Sequence, residues 1–458
     1  MDNDATDRGC PGCSARDRKI AELEARLAKL EALARAGKRQ AAPFSKGPPK
    51  ADPKRPGRKS GDHYGTHQRR AAPAHIDEVH EAPLPGRCPA CGGAEVRETG
   101  VAQQYQTEIP RVVIHRQFNV HIGQCRCCKA RVQGRHPLQT SDALGACASQ
   151  IGPDAQALAV QLNKDAGLSH GKVSTFFKTA FDLGLSRAGA CRTMLRVARR
   201  CEPAYQAIVR RVRQSPWIVP DETGWKIGGL SAWLHVAVGS DATAYLVHRF
   251  RGYQAAVELI GADYEGFMTH DGWSPYDRFI YATHQTCLGH LLRRSHELED
   301  SATGGGAVRF PRQVKARLKN ALGVRDQRDA GELTARQAAG QAKLLSSQMS
   351  ELVSRPRANA DNERFAKHLW NQQESLFTFL EFEGVDATNY KAEQAIRPAV
   401  ANRKVWGGNR TQSGAKAQSI LLSVMRTATQ RGIEALQFIS SSLKAGLGKQ
   451  PQIVPDTG

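Results

Sequence analysis

The chain lacks any run of the ~18 to 20 apolar residues that a membrane-crossing helix requires, and no membrane partner is expected. Its opening, MDNDATDRGC, holds no apolar stretch of the kind that directs secretion, so a cytoplasmic location is the expectation. Carboxylates are also in short supply: 44 Asp and Glu stand against 65 Lys and Arg, a formal net charge of +21. That imbalance favours a polyanionic partner, because each neutralised phosphate releases condensed counterions. With 40% hydrophobic residues the composition is otherwise that of a folded soluble protein.

Eleven cysteines are present, and in a reducing compartment they are not expected to form a disulfide framework. Seven are grouped, as Cys10/Cys13, Cys88/Cys91 and Cys125/Cys127/Cys128, which suits metal binding better than core packing. Thiolates at i and i+3 on a tight turn share a tetrahedral Zn²⁺, and Cys88-x2-Cys91 with Cys125-x2-Cys128 has the spacing of a zinc ribbon. Four thiolates leave no position for water, so this zinc is structural. Cys127 leaves the second pairing open, and the Cys10/Cys13 pair stands alone.

A length of 458 residues exceeds one ordinary core, and changes of texture divide the chain. Residues 1–41 hold the first cysteine pair and a helix expected over 17–37, with Ile20, Leu23, Leu27, Leu30 and Ala34 spaced as a short coiled-coil seam. Residues 42–78 form a basic Pro/Gly linker, either simply solvated or tracking phosphates. Residues 79–138 are the zinc-ribbon unit, with strand alternation expected over Tyr105–Ile122. Residues 139–205 read as helices broken at Ala166–Ser169, with Ser169 as N-cap; a helix-turn-helix reader or any small helical domain fits. From 206 to 300, three hairpin-linked strands, a helix at Tyr253–Ile260 and a further strand predict a mixed sheet. Residues 301–385 read as a helical insertion. Residues 386–458 carry helices at Asn389–Ile396 and Ala415–Arg426 around a basic loop from Arg403 to Gly414.

Two aspartates occupy matching places in the sheet region. Asp221 follows the apolar run WIVP and Asp271 follows GFMTH, so each is expected at the carboxyl end of a strand, where α/β sheets place their chemistry. A lone Asp there also serves as a turn former. Paired, they suit a site for two Mg²⁺ or Mn²⁺ ions about 3.5 to 4 Å apart, the arrangement used for phosphoryl transfer. Alternation turns Glu222 to the opposite face. Spacing leaves the third carboxylate open among Glu297, Glu299, Glu381, Glu383 and Glu393, the last having Arg397 at i+4 as a surface ion-pair partner.

The stretches Pro220-Asp221-Glu222-Thr223-Gly224-Trp225, Thr269-His270-Asp271-Gly272-Trp273 with Tyr276, Cys287-Leu288-Gly289-His290 with Arg293-Arg294, and the tail from Thr388 to Ala415 resemble the insertion-sequence-66 transposases of bacteria. The resemblance runs over almost the whole chain. It implies a multidomain α/β protein whose ribonuclease-H-like catalytic core is interrupted by a helical insertion. It further implies a DDE triad on Asp221, Asp271 and Glu393, and thereby settles the third carboxylate. Two positions depart from the family pattern: Tyr390, where many relatives have Asn, and Gln394, where many have Arg.

The implied activity is cleavage and joining of element ends in double-stranded DNA by a homo-oligomer, a dimer in the simplest case, with accessory element-encoded proteins as further partners. Arg397, Arg403, Lys404 and Arg410 are the candidate phosphate contacts, and His290 is a candidate hydrogen-bond partner near the site. Two other readings share these features: a non-catalytic zinc-ribbon regulator that binds DNA, and a nuclease or resolvase on the same core.

Overall fold

The computed structural model describes Ile20, Glu22–Glu24, Leu27 and residues 73–94, 96–106, 112–136, 138–139, 151–302, 305–445 and 451–455. They belong to two compact units, residues 1–110 and 111–458. In the first unit Ile20, Glu22–Glu24 and Leu27 are helical, with the side chains of Ile20, Leu23 and Leu27 exposed. The remainder of the expected seam, the Cys10/Cys13 pair and residues 42–72 lie outside the described residues. Cys88 closes a tight turn in which its N–H donates to Gly93 O and its carbonyl accepts from Gly92 N–H, both at 2.8 Å. Gly92 holds a φ of +75°, a region that penalises a Cβ.

The second unit opens with a small hairpin, β1 (Ile122–Gln124) antiparallel to β2 (Arg131–Gln133). The strand expected over Tyr105–Ile122 is not formed by its described residues before Ile122. Val112 and Ile114 are exposed there, and an alternating segment without a partner strand or a core to bury it has nothing to hold it extended.

Three helices follow: α1 (Pro153–Lys164), α2 (His170–Phe181) and α3 (Arg187–Arg213). Ser169 caps α2 as expected, its side chain accepting from Lys172 N–H. The sheet comprises β3 (Trp217–Ile227), β4 (Leu230–Val238), β5 (Thr243–His248), β6 (Phe267–His270) and β7 (Thr283–Thr286), with α4 (Tyr253–Ile260) crossing from β5 to β6. Its order is β5-β4-β3-β6-β7, with β3, β4 and β5 an antiparallel meander and β6 and β7 parallel to β3. Helices α5 (Leu288–Ser301), α6 (Gly305–Asp329), α7 (Ala335–Ser354), α8 (Ala360–Asn371) and α9 (Thr378–Glu381) form the helical insertion. The chain then returns as α10 (Tyr390–Trp406), α11 (Gln412–Gln430) and α12 (Ala435–Lys444).

Both faces of the sheet are covered. Ile218, Ala237 and Ala244 point into a core shared with α1, α3, α4, α11 and α12. Val219, Leu234, Val236 and Tyr245 point the other way, against Ala392, Ala395, Ile396 and Ala399 of α10. Those four positions at helical spacing are why the tail forms an amphipathic helix laid across the sheet. The insertion has its own core, built from Leu291, Val314, Leu345, Phe365 and Phe379 among others. No described helix is long and apolar enough to cross a membrane.

The outer edge of the sheet is sealed by α11. The N–H groups of Thr243, Tyr245 and Val247, at every second residue of β5, donate to Thr427 Oγ1, Ser423 Oγ and Ser419 Oγ at 2.8 to 3.0 Å. A strand repeat of two residues spans roughly 6.6 Å and one helical turn about 5.4 Å, so hydroxyls at i, i+4 and i+8 keep step with an edge over this length. Ser423→Ala is expected to leave the buried Tyr245 N–H without an acceptor and to destabilise the unit by about 1 to 3 kcal/mol, read as a lowered denaturant midpoint. The opposite edge is covered from α9 and the residues before it: Thr378 Oγ1 donates to His284 O at 2.7 Å, and Phe379 N–H donates to Gln285 Oε1 at 2.9 Å.

Candidate active site

Asp221 lies within β3, and not at its end as the sequence suggested; β3 continues to Ile227 because its antiparallel pairing with β4 runs from Val219 to Ile227. The parallel pairing with β6 stops much earlier, covering only Trp217 with Phe267 and Ile218 with Met268. Asp221 therefore stands where β3 still has one neighbour and has parted from the other. Asp271 directly follows β6, as expected. Its Oδ1 accepts from Trp273 N–H at 2.9 Å, and Gly272 takes a φ of +84° to make the turn. A Cβ on Gly272 would also meet His368 Cε1 at 3.0 Å.

Glu393 sits in the first turn of α10, one residue past the buried Ala392 and half exposed. The start of α10 is tied to the end of β6 through Cys287. Cys287 N–H donates to His270 O at 2.7 Å, and its sulfur accepts from Asn389 N–H at 3.3 Å. Leu288 N–H adds a bond to Ala387 O at 2.9 Å. The backbones that carry Asp271 and Glu393 are thus joined through one short junction.

Asp221 is the carboxylate on which the charges of the other two act. Burial pushes the Asp221 carboxyl up to about 8, the neighbouring Glu222 adds to the rise, and the charges of Asp271 and Glu393 contribute as well; the hydrogen bond from Glu222 N–H opposes it. His290 Nε2 stands 3.8 Å from Glu393 Oε1, and Arg293 and Arg397 each approach that carboxylate at 4.0 Å. Among the described residues, no group of three or more His, Cys, Asp or Glu side chains is disposed to hold a metal ion. The donor chemistry nevertheless fits hard divalent cations: a carboxylate such as Asp221, whose proton affinity is raised by burial and neighbouring negative charge, is relieved by a cation as well as by a proton.

The four expected phosphate contacts are placed unevenly. Arg397 reaches the Glu393 side, and Arg403 Nη1 lies 3.5 Å from Thr223 Oγ1, two residues along β3 from Asp221. Arg403 and Lys404 belong to the last turn of α10 and not to a loop, because the helix runs on to Trp406, whose ring packs edge-on against Trp225. The loop proper is residues 407–411, where Asn409 bridges to Ile227 and accepts from Trp225 Nε1 at 2.8 Å. Arg410 lies in it and is exposed.

Cys88 and Cys91 belong to the first unit, and Cys125 and Cys128 to the second. Each pair lies on a turn of one kind. Backbone hydrogen bonds from Cys91 and Ala90 hold the Cys88 thiol below its usual range, and bonds from Cys128 and Cys127 do the same for Cys125. Cys127 thus corresponds to Ala90, and Cys128 to Cys91.

Spacing gave no sign of what surrounds Glu222. Its side chain is 2% exposed, with Oε1 accepting from Arg251 Nε at 3.0 Å and Nη2 at 2.8 Å, and Oε2 accepting from Tyr276 Oη at 2.6 Å. A second hidden group lies under Asp271. Gly272 N–H donates to His270 Nδ1 at 3.1 Å, which leaves His270 Nε2–H to donate to His284 Nδ1 at 3.0 Å and His284 Nε2–H to donate to Phe279 O at 3.0 Å. That chain fixes a neutral tautomer on both rings. Burial, followed by the neighbouring His284 and His368, pushes His270 down to about 3, in keeping with it.

A family model described as Transposase IS66 family matches residues 148–417, more than half of the chain. The chain belongs to the IS66 transposase family. No curated protein matches it. The matched span runs from the helices before β3 through the sheet, the insertion and α10 into α11, so every element that carries a candidate carboxylate is family structure. The two departures from the IS66 pattern meet each other: Gln394 Nε2 donates to the Tyr390 hydroxyl across one turn of α10, on its exposed face.

Proposed function

We propose that this IS66 family transposase cuts and joins the ends of an insertion sequence by DDE phosphoryl transfer, with Asp221, Asp271 and Glu393 holding two Mg²⁺ or Mn²⁺ ions. The observation that carries the reading is that the Asp221 carboxyl, on a central strand, feels both Asp271 and Glu393, which arrive from the end of another strand and from a helix beyond the insertion. The strand order β5-β4-β3-β6-β7, three antiparallel strands followed by two parallel ones, supports a ribonuclease-H-like core. When bound, the cations supply Lewis acidity at the attacking and leaving oxygens. Asp221, Asp271 and Glu393 are the residues that would hold them. Arg397 and Arg403 border the carboxylates and orient the scissile phosphate, with Lys404 and Arg410 engaging the duplex further along the backbone.

The chemistry is hydrolysis at the element end, freeing a 3′-OH, followed by attack of that hydroxyl on target DNA. A joining assay with Mn²⁺ and a labelled element end tests this: joined product is expected, whereas a nuclease or resolvase leaves only cut ends and a regulator leaves the DNA intact.

The remaining regions have supporting roles. The α1–α2 pair, within residues 139–205, reads duplex DNA, and the 42–78 linker tracks phosphates. The helix within residues 1–41, with Ile20, Leu23 and Leu27 exposed, joins two copies. Residues 79–138 are read as a zinc ribbon on the sequence spacing of Cys88-x2-Cys91 and Cys125-x2-Cys128, and each pair by itself lies on a turn of the same kind. The purified protein is expected to carry about one zinc per chain. Cys128→Ser loses it and Cys127→Ser keeps it, as read by metal analysis after dialysis.

A further inference from the structure

The backbone alone does not fix the separation of Asp221 and Asp271. Hydrogen-bonded pairing between β3 and β6 ends at Ile218 and Met268, three residues short of each aspartate. Pro220 has no N–H with which to extend it. Something else must hold the two carboxylates at a constant spacing, since a displacement of about 1 Å at a reacting centre costs around 100-fold in rate.

We propose that Glu222, Arg251, Trp273 and Tyr276 form a positioning clamp that sets this spacing. The inference rests on the reading that Asp221 and Asp271 hold the divalent cations. The connections close a ring. Asp221 Oδ1 accepts from Glu222 N–H at 2.9 Å, and the Glu222 carboxylate takes both donors of Arg251 on one oxygen. The Arg251 guanidinium lies 4.5 Å over the Trp273 ring, and Trp273 N–H donates to Asp271 Oδ1 at 2.9 Å. Tyr276, itself buried, is a second strut, from the turn beyond Asp271 to the other oxygen of Glu222. The ring of Trp233 on β4, 4.8 Å from the Arg251 guanidinium, anchors the clamp to the sheet.

The parts suit positioning and not metal binding. Both oxygens of Glu222 are occupied and the side chain is buried, so it is not a fourth ligand. A guanidinium is planar and permanently charged, so it can meet a carboxylate and stack on an indole together; an ammonium offers neither the fork nor the flat face. A buried ion pair returns little net stability over a hydrophobic substitute. Here it joins the residue after one aspartate to the loop after the other, which is what fixing their separation requires.

The test uses the full-length chain with Arg251→Met, Glu222→Gln and Tyr276→Phe, each checked by circular dichroism. The primary readout is the Mn²⁺ concentration that half-saturates the rise in melting temperature, which reports cation affinity without turnover. The second is the Mn²⁺ dependence of element-end cleavage. Arg251→Met and Glu222→Gln are expected to raise the half-saturating concentration roughly tenfold or more, the scale of lost support behind a metal ligand. The double variant should be no worse than either single one, and high Mn²⁺ should restore part of the cleavage. Folded variants whose Mn²⁺ half-saturation stays within twofold of the parent overturn the clamp, whatever happens to their activity. If Arg251→Met does not fold, Tyr276→Phe, which deletes one hydroxyl, carries the same reading. If Asp221→Asn and Asp271→Asn keep the Mn²⁺-induced shift and the cleavage, the cation-site reading itself fails and the clamp falls with it.

Discussion

Glu393→Gln is expected to abolish both cleavage of element ends and joining to target DNA while leaving the fold intact. The substitution keeps shape and hydrogen-bonding capacity and removes only the charge, at a half-exposed position in the first turn of α10. Asp271→Asn and Asp221→Asn should behave alike, each lowering the rate by at least about a thousand-fold, because residues that act as one catalytic unit fail together. Stability separates the three. Burial and the surrounding negative charge penalise ionised Asp221, so Asp221→Asn should melt higher than the parent protein in chelator, by roughly 2 to 6 °C. Mn²⁺ should narrow that gap by stabilising only the parent. Undiminished joining by the Glu393 variant would sink its assignment, and Glu297, Glu299, Glu381 and Glu383 would return as candidates.

A large alkaline pH effect on stability is expected from Lys164, far along the chain from the carboxylates. Its ammonium is buried at the end of α1, donates to Gln418 Oε1 at 2.5 Å, and lies 5.5 Å from the centre of the Trp406 ring. These partners are neutral, and burial lowers the amine from 10.5 to about 8, with Cys191 pulling weakly the other way. Below pH 8 both folded and unfolded chains hold the proton, and the cost of burying the charge is felt in full. Between about 8 and 10.5 the unfolded chain keeps the proton that the folded chain releases, so this group makes stability rise with pH across that window. The contribution is about 3 kcal/mol, each tenfold change in proton affinity being about 1.4 kcal/mol. In denaturant titrations the stability difference between the parent and Lys164→Met should change by that amount between pH 8 and 10.5. Parallel slopes would show that the amine stays charged when folded.

The strands and helices that bury apolar stripes were largely legible in the sequence. The helix at Tyr253–Ile260, the break before Ser169 and the alternation in β4 and β5 all follow from periodicity that has a single low-energy solution. Where periodicity met no partner it misled: Val112 and Ile114, on one face of the expected strand, remain exposed. The sequence puts Asp221 at a strand end because the apolar run WIVP stops there, yet the pairing with β4 carries the strand onward to Ile227.

The candidate site was legible in part. Two aspartates could be chosen by strand order, whereas Glu393 lies beyond the whole insertion, and no local rule relates it to β3. The supports of the site left less trace still. Arg251 is a loop residue 29 positions from Glu222, and the buried histidine pair depends on β7, a strand too short to be marked by its own pattern. Such contacts are decided by tertiary packing and carry no local period.

The hydroxyl ladder between α11 and β5 closes one edge of the sheet to strand addition. With the N–H groups of Thr243, Tyr245 and Val247 already engaged, β5 offers no template for a strand from a neighbouring molecule. Any contact a second copy makes at this edge must therefore run through side chains, since no backbone donor of these three residues is left to extend the sheet.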